Sequence, residues 1–437
     1  LLNTNFLVPF YFNLRTGGLS FYFLLYKYIT ALEKIRQLVH RFGATNDTFY
    51  VASKARLQMK LGLWKQTLPQ VRPYYAVKCN PDMMLMKWLA EGGSGFDCAS
   101  GTELHKASSL FERHPEEFAK SSVFANPCKP MRDLAIASQV NSGPTTVDSV
   151  EEIEKLHAAN WRQGCLIRIA VDDTGSRMPF SKKFGAIMSE VPKIKQAAKT
   201  FGQDIQGISF HVGSGCEQPL QYSKAIQMAL LELRDLPRAK TVDIGGGFET
   251  KGRSFLQAAH YIQESIKAVP SDLPIQWIAE PGRYFATEFQ DLFVQVIGKK
   301  PALNGYGWRY TIDESLYGQF SSIPFDRMKP RWLRIRMSDR EPRRVYAPGV
   351  LFGRTCDSVD MIAQSQSMEE LQVGDWLWFP HMGAYTSVTS SEFNGFPKPK
   401  IYYTEEPLPH TIYMSGESWP QDIQTVSSVT VPTMELK

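Results

Sequence analysis

From Val71 onward the apolar and polar positions of this chain fall into a recurring unit: a short run of strand formers, a tight polar loop, then a segment with helical spacing. The runs end at Lys78, Phe96, Ala125, Val147, Ile169, His211, Ile244 and Ala279. Eight strands alternating with helices predict a closed parallel barrel rather than an open sheet. One intervening helix shows its signals clearly: Ser149 stands as a cap with Glu152 three places on, and Val150, Ile153 and Leu156 then recur on one face. Beyond about Phe285 helical spacing fades. Strand-like runs at Phe293–Ile297, Arg309–Ile312, Arg344–Tyr346 and Trp376–Phe379 are separated there by glycine, proline and charged turns. The pattern predicts an α/β protein: a (β/α)8 TIM-like barrel over residues 51–285, a mostly β domain over 286–437, and a segment 1–50 that partly joins the β domain.

The opening residues stand apart. Leu19 to Tyr26 is apolar and aromatic, but Lys27 interrupts it well short of a membrane span, and neither a basic leader nor a small-residue cleavage site frames it. It reads as strand-forming or ill-defined, with a membrane anchor as the alternative. With 43% hydrophobic and 21% charged residues the composition is that of an ordinary globular protein, and a net charge of +5 gives no case for nucleic acid or membrane as a general partner. A basic run (Lys329, Arg331, Arg334, Arg336, Arg340, Arg343) reads as a solvated face, with polyanion binding as the alternative. The six cysteines show no C-x-x-C spacing, which argues against zinc or a disulfide framework and for a reducing compartment such as the cytoplasm.

The predicted strand ends carry chemistry. Lys78 closes the first, Asp97 follows the second, and Glu103 begins the next helix. His211 ends the sixth ahead of Val212-Gly213-Ser214-Gly215, Asp243-Ile244-Gly245-Gly246-Gly247 closes the seventh, and Glu280-Pro281-Gly282-Arg283 closes the eighth. Consecutive glycines leave backbone N–H groups uncovered for a phosphate, and Arg283 and Ser214 can add a charge and a hydroxyl. In a barrel the loops after strands seven and eight are the recurrent phosphate position. An amine, a phosphate cradle, a carboxylate and a flat imidazole on one rim are what pyridoxal 5'-phosphate requires: Lys78 for a Schiff base, Glu280 for the pyridine nitrogen, His211 for the ring face. Each residue also has an ordinary structural explanation, as a surface lysine, a paired carboxylate, a satisfied core histidine or a glycine turn. Their joint placement at strand ends is what those explanations leave over.

The motifs YAVKCNPD, GFDCASGTEL, FANPCKP, ISFHVGSG, VDIGGGF, AEPGRYF, TCDSVD and GDWLWFPHMGAYT, over roughly residues 30–396, resemble the eukaryotic, fungal-like ornithine decarboxylase family in the alanine-racemase-like class of pyridoxal phosphate enzymes. The resemblance implies decarboxylation of L-ornithine to putrescine and carbon dioxide, no metal, and a homodimer with shared active sites. It implies that Lys78 is the Schiff-base lysine, Glu280 the pyridinium partner and His211 the stacking ring. Asp97 and Arg168 would be polar neighbours of the cofactor, and Ser214, Gly246, Gly247, Gly282, Arg283 and Tyr385 its phosphate surroundings. Cys356 would protonate the product carbanion, while Asp326, Asp357 and the neighbouring Phe325 would receive the substrate's far end. Cys356 and Asp357 would reach into the neighbour's site, and Lys183 and Asp360 would pair across the dimer. A thiol suits proton delivery to Cα, and carboxylates suit a distal ammonium.

Several positions depart from that pattern. Arg354 replaces a usual proline, Arg327 a usual histidine, and Asp313-Glu314-Ser315 an expected Asn-Asp-Gly; His381 is also atypical, and nothing before about Tyr28 matches. An arginine two residues from Cys356 is expected to repel a dicationic substrate or to occupy Asp357. Two alternatives stand beside ornithine decarboxylation: action on another basic amino acid such as lysine, and a non-catalytic homologue of the antizyme-inhibitor kind. An antizyme-like regulator is a further expected partner.

Overall fold

The computed structural model describes residues 18–409 apart from 46, 251, 271–272, 304 and 338–344, with side chains from residue 30 onward. In chain order its first eleven strands are β1 (Phe49–Ser53), β2 (Val71–Ala76), β3 (Gly95–Cys98), β4 (Ser122–Phe124), β5 (Thr145–Val147), β6 (Cys165–Arg168), β7 (Ser176–Met178), β8 (Ile205–Ser209), β9 (Ser214–Cys216), β10 (Thr241–Asp243) and β11 (Gln276–Ala279). All but β1, β7 and β9 close into a parallel barrel, with β11 returning to pair with β2. Because strand side chains alternate, Tyr74, Val123, Leu166 and Ile278 gather in one cluster while Tyr75, Phe96, Phe124 and Ile167 join the larger core that the helices also build.

The strand ends fall within a residue or two of expectation. The first strand stops at Ala76, and Lys78 sits in a single 3-10 turn, Val77–Cys79, just beyond it. The helix Val150–Ala158 is capped as expected, Ser149 Oγ accepting from Glu152 N at 3.2 Å. The Glu152 carboxylate turns inward to the buried Lys129 ammonium at 2.9 Å.

The second sheet contains β12 (Gln290–Pro301), β13 (Trp308–Ile312), β14 (Leu333–Ile335), β15 (Tyr346–Phe352), β16 (Met361–Glu369), β17 (Trp376–Phe379) and β18 (Lys400–Thr404), in the order β14-β17-β12-β13-β15-β16, with β1 pairing to both β12 and β18. Strand β1 spans the expected boundary at residue 50, yet it pairs only with this sheet, Phe49 stacking on Phe293 at 4.9 Å. A strand expected around Arg344–Tyr346 instead runs from Tyr346 to Phe352, and Arg344 lies outside the described residues.

The opening segment corrects a second expectation. Leu19 to Tyr26 belongs to a helix, Gly18–Phe42, and not to a strand. An unbroken apolar run has no decisive period of its own. The period lies in the second half of the helix, where Ala31, Ile35 and Val39 recur four apart and pack on Phe293, Ile335, Trp376 and Trp378. Burying such aliphatic side chains contributes about 1.5–3 kcal/mol each for the larger ones, enough to fix the helix to the sheet. No helix among the described residues is long and apolar enough to cross a membrane.

The basic run is partly structural. Arg334 pairs with Asp375 at 2.7 Å and Glu369 at 3.3 Å, and the Arg336 carbonyl accepts from Arg36 Nε at 2.5 Å; Arg340 and Arg343 lie outside the described residues. A buried ion pair joins barrel to sheet: Arg56 reaches Asp291 at 2.7 Å, and the same carboxylate accepts from Trp378 Nε1 and His381 N, both at 2.9 Å. A buried charge pair is tolerable when its remaining hydrogen bonds are made, as they are at Asp291.

Candidate active site

The ends of β2, β8, β10 and β11 converge on a cleft lined by Lys78, Phe180, His211, Ser214, Gly246, Gly247, Glu280, Gly282, Arg283 and Tyr385 among others. Lys78 Nζ donates to Asp97 Oδ2 at 2.8 Å; the lysine side chain remains 40% exposed while that of Asp97 is fully covered. Burial draws the amine's pKa down, but the charges of Asp97, then Glu280 and Tyr385, more than reverse this and hold it above the ordinary lysine value. Lys78 therefore stands as an ammonium ion next to its own proton acceptor.

His211 is neutral. Gly213 N–H donates to its Nδ1 at 2.9 Å, which leaves Nε2 to carry the proton. Burial, with Arg168 and Lys78 adding positive charge nearby, pushes its pKa well below the usual value. Phe180, absent from the residues the sequence singles out, places its ring 4.9 Å from that of His211. It comes from the loop after β7, held by Asp173, which accepts from the backbone N–H groups of Phe180 and Ser181. No local signal marks such a residue, because its place depends on how a long loop folds back.

The other end of the cleft is built to leave space. A Cβ on Gly246 would lie 2.8 Å from both His211 Nε2 and the Glu280 carbonyl, and one on Gly247, at φ +98°, would lie 2.6 Å from the Gly213 carbonyl. Only glycine fits there. Ser214 is presented by the β7–β9 ribbon, and its Oγ accepts from Arg283 Nη2 at 3.2 Å. Arg283 lies 4.9 Å over the Tyr385 ring, and its Nε is buried with no partner among the described residues. A bare glycine cradle beside an unsatisfied guanidinium N–H fits a phosphate, and the amine, carboxyl and imidazole beyond it fit the remainder of pyridoxal phosphate.

Three carboxyl groups crowd the floor. Asp97, Asp243 and Glu280 are all nearly or wholly buried. Burial, followed by the charges of Asp243 and Asp97, raises the Glu280 pKa well above the carboxylate range, although Lys78 and Arg168 oppose the shift. Burial likewise pushes Asp243 up to about 7. Arg168 reaches the site by its field only; its guanidinium lies 5.0 Å over the Phe184 ring.

Asp326 is found at the opposite end of the site from the one expected. Its two oxygens take Arg283 Nη1 and Nη2, each at 2.8 Å, so the residue expected at the substrate's far end grips the one expected at the phosphate. The neighbouring Phe325 is 68% exposed, and Arg327, in the left-handed region at φ 52°, ends the short helix Ser322–Asp326.

Cys356 and Asp357 do not line this chain's cleft. Cys356 is exposed, its backbone N–H donating to Asn394 Oδ1 at 3.0 Å, and Asp357 accepts from the Tyr317 hydroxyl. The pairing with Asp357 expected of Arg354 is not made among the described residues: its guanidinium lies 4.1 Å over the Phe396 ring and its backbone N–H meets the Glu314 carbonyl at 3.1 Å. Its positive charge is felt instead by the buried Glu314 and Asp313. Asp360, expected to meet Lys183 across a dimer, is 1% exposed in the single chain and accepts from Leu316 N at 2.7 Å and from Thr355 N and Oγ1 at 3.0 and 2.6 Å. His381, the atypical residue near Tyr385, has φ 59° and serves Asp291 through its backbone.

Residues 54–287 match the family described as pyridoxal-dependent decarboxylase, pyridoxal binding domain. An ornithine decarboxylase of Panagrellus redivivus is 38% identical, the match covering 83% of this chain and 86% of that protein. Antizyme inhibitor 2 of Xenopus laevis is 34% identical, covering 85% of each. Among solved structures, the arginine decarboxylase of Paramecium bursaria Chlorella virus superposes with a TM-score of 0.79 at 32% identity, over 85% of this chain and all of that one.

Proposed function

The chain belongs to the pyridoxal-dependent decarboxylases, enzymes that use pyridoxal phosphate, and from that premise we propose that it converts L-ornithine to putrescine and carbon dioxide. One observation carries the reading: Lys78, His211, Glu280 and the glycine–Ser214–Arg283 cradle border a single cleft. A non-catalytic chain would have no need to keep all of them. Pyridoxal phosphate, when bound, supplies an electron sink for the pair left on Cα as carbon dioxide departs.

The residues then divide the work. Gly246, Gly247, Ser214, Arg283 and Tyr385 hold the phosphate, with Gly282 leaving room beside them. Lys78 must give up a proton before its nitrogen can act as a nucleophile, and Asp97, 2.8 Å away, is placed to take it. Glu280 keeps a proton at the pyridine nitrogen, and neutral His211 offers a flat face without adding a charge that would oppose it. Cys356, exposed on its own chain, and the half-buried Asp357 beside it complete the cleft of a second copy in a homodimer: the thiol delivers a proton to Cα, while Asp357 takes the distal ammonium. All six cysteines are free, which accords with a reducing compartment such as the cytoplasm. The likeness to antizyme inhibitor 2 supports a regulator of the antizyme kind as a partner.

Parallel incubations with ornithine, lysine and arginine, read as carbon dioxide release, test the substrate. Ornithine should give the highest kcat/KM; faster release from either of the others would overturn the assignment.

A further inference from the structure

Asp243, which the sequence showed only as the residue before the glycine loop, touches the machinery from behind. It ends β10 with no exposed surface, and its Oδ1 accepts from Gly245 N at 2.9 Å. The Gly245 carbonyl in turn accepts from Glu280 N at 2.7 Å, so one glycine holds the side chain of Asp243 and the backbone of Glu280. Asp243 Oδ2 is buried with no N–H or hydroxyl donor among the described residues, and the Glu280 carboxyl lies within side-chain hydrogen-bonding reach of the Asp243 carboxyl. Two bare carboxylates in such contact repel; the contact becomes a hydrogen bond only when a proton lies between them.

We propose that Asp243 is the positioning residue for Glu280: the two carboxyl groups share one proton, which fixes the direction of the Glu280 oxygen that serves the cofactor's ring nitrogen. The proposal deepens the functional reading and rests on it for the role of Glu280. The surrounding charges do not remove the need for the proton. Asp97, at the end of β3, adds a negative charge but is already held by Lys78; Arg168, from β6, adds a positive one without touching either acid; and Tyr74, on β2, is neutral, its own pKa raised by burial and, in part, by Asp243. Burial disfavours two anions here, and both acids are shifted upward accordingly. A positive charge on the ring nitrogen beside Glu280 would place the anion on Glu280 and the proton on Asp243. Asp243 then donates to Glu280 and lowers its basicity, so Glu280 does not strip the ring nitrogen of the proton that makes it an electron sink.

The test uses full-length holoenzyme. Asp243→Asn keeps an oxygen for Gly245 N–H and offers Glu280 a permanent amide donor, imitating the protonated acid. The wild-type minus Asp243→Asn infrared difference spectrum at neutral pH should contain a deuterium-sensitive carboxylic-acid C=O band, and Glu280→Gln should lose the same band. Asp243→Asn should stay within about threefold of wild-type kcat at neutral pH and show less decline on the alkaline side, where the wild type loses the shared proton. Absence of the band from the difference spectrum, or an alkaline limb identical in Asp243→Asn, would overturn the proposal; if the Asn variant does not fold, the Glu280→Gln spectrum still decides. Ornithine turnover is read in the same preparations, so a band that behaves as stated in a protein inactive on ornithine would leave the shared proton standing and remove the substrate assignment.

Discussion

Replacing Asp326 by asparagine should tighten the binding of pyridoxal phosphate while weakening the protein from which the cofactor has been dialysed away. Arg283 gives both of its terminal nitrogens to Asp326 at 2.8 Å, and the two side chains are only 13% and 14% exposed. A phosphate in the Ser214–Gly246–Gly247 cradle must share that guanidinium with a carboxylate. At a separation of about 6 Å and an effective dielectric constant of about 20, each pair of like unit charges repels by about 3 kcal/mol, which mobile ions reduce to about 1–2 kcal/mol. Asparagine removes the charge and keeps one acceptor, so cofactor affinity should rise on the order of tenfold, at about 1.4 kcal/mol per factor of ten. The lost ion pair leaves a largely covered guanidinium half-satisfied, at a cost of about 1–3 kcal/mol in folding stability. Equilibrium dialysis of the cofactor and thermal unfolding with and without it read the two effects, which have opposite signs. Weaker cofactor binding in Asp326→Asn would refute the reasoning, because it would mean that Asp326 aims Arg283 at the phosphate and does not compete for it.

Arg354→Pro should not raise activity on ornithine, since Arg354 faces Phe396 and Glu314; it removes the N–H that meets the Glu314 carbonyl and should lower stability by about 1–3 kcal/mol in a denaturant titration. Cys356→Ala should slow putrescine formation and raise the share of ornithine leaving as other products, measured by chromatography; an unchanged rate and product ratio would remove the role given to the thiol. Glu314 is pushed up to about 7 by burial, against the opposing pull of Arg354 and the backbone N–H groups of Ser315 and Gln319. The folded state therefore holds that proton more tightly than the unfolded chain, and this group's penalty is absent below about pH 4, grows as pH rises, and is complete above about pH 7. Glu314→Gln should lessen the loss of stability between pH 5 and 8, by at most about 3 kcal/mol, in urea titrations at each pH.

The covalent chain dictates whatever it repeats or keeps close together. Two-residue alternation in the strands and 3.6-residue spacing between them specified a barrel, and the residues that end Val71–Ala76, Gly95–Cys98, Thr241–Asp243 and Gln276–Ala279 were legible as one rim because parallel strands must all finish on the same side. The apolar stretch at Leu19–Tyr26 was illegible as a helix, since its fate is decided by the sheet against which Ala31, Ile35 and Val39, farther along the same helix, pack. Which charges meet is decided only once the chain has folded. Asp326 and Arg283 are 43 positions apart, and Asp243 meets Glu280 across neighbouring strands. Arg354 stands near Asp357 in sequence and yet faces Phe396. Local spacing fixes the direction in which a side chain leaves the backbone, but the partner it finds there depends on loop paths and strand register, and buried charge makes that choice energetically decisive.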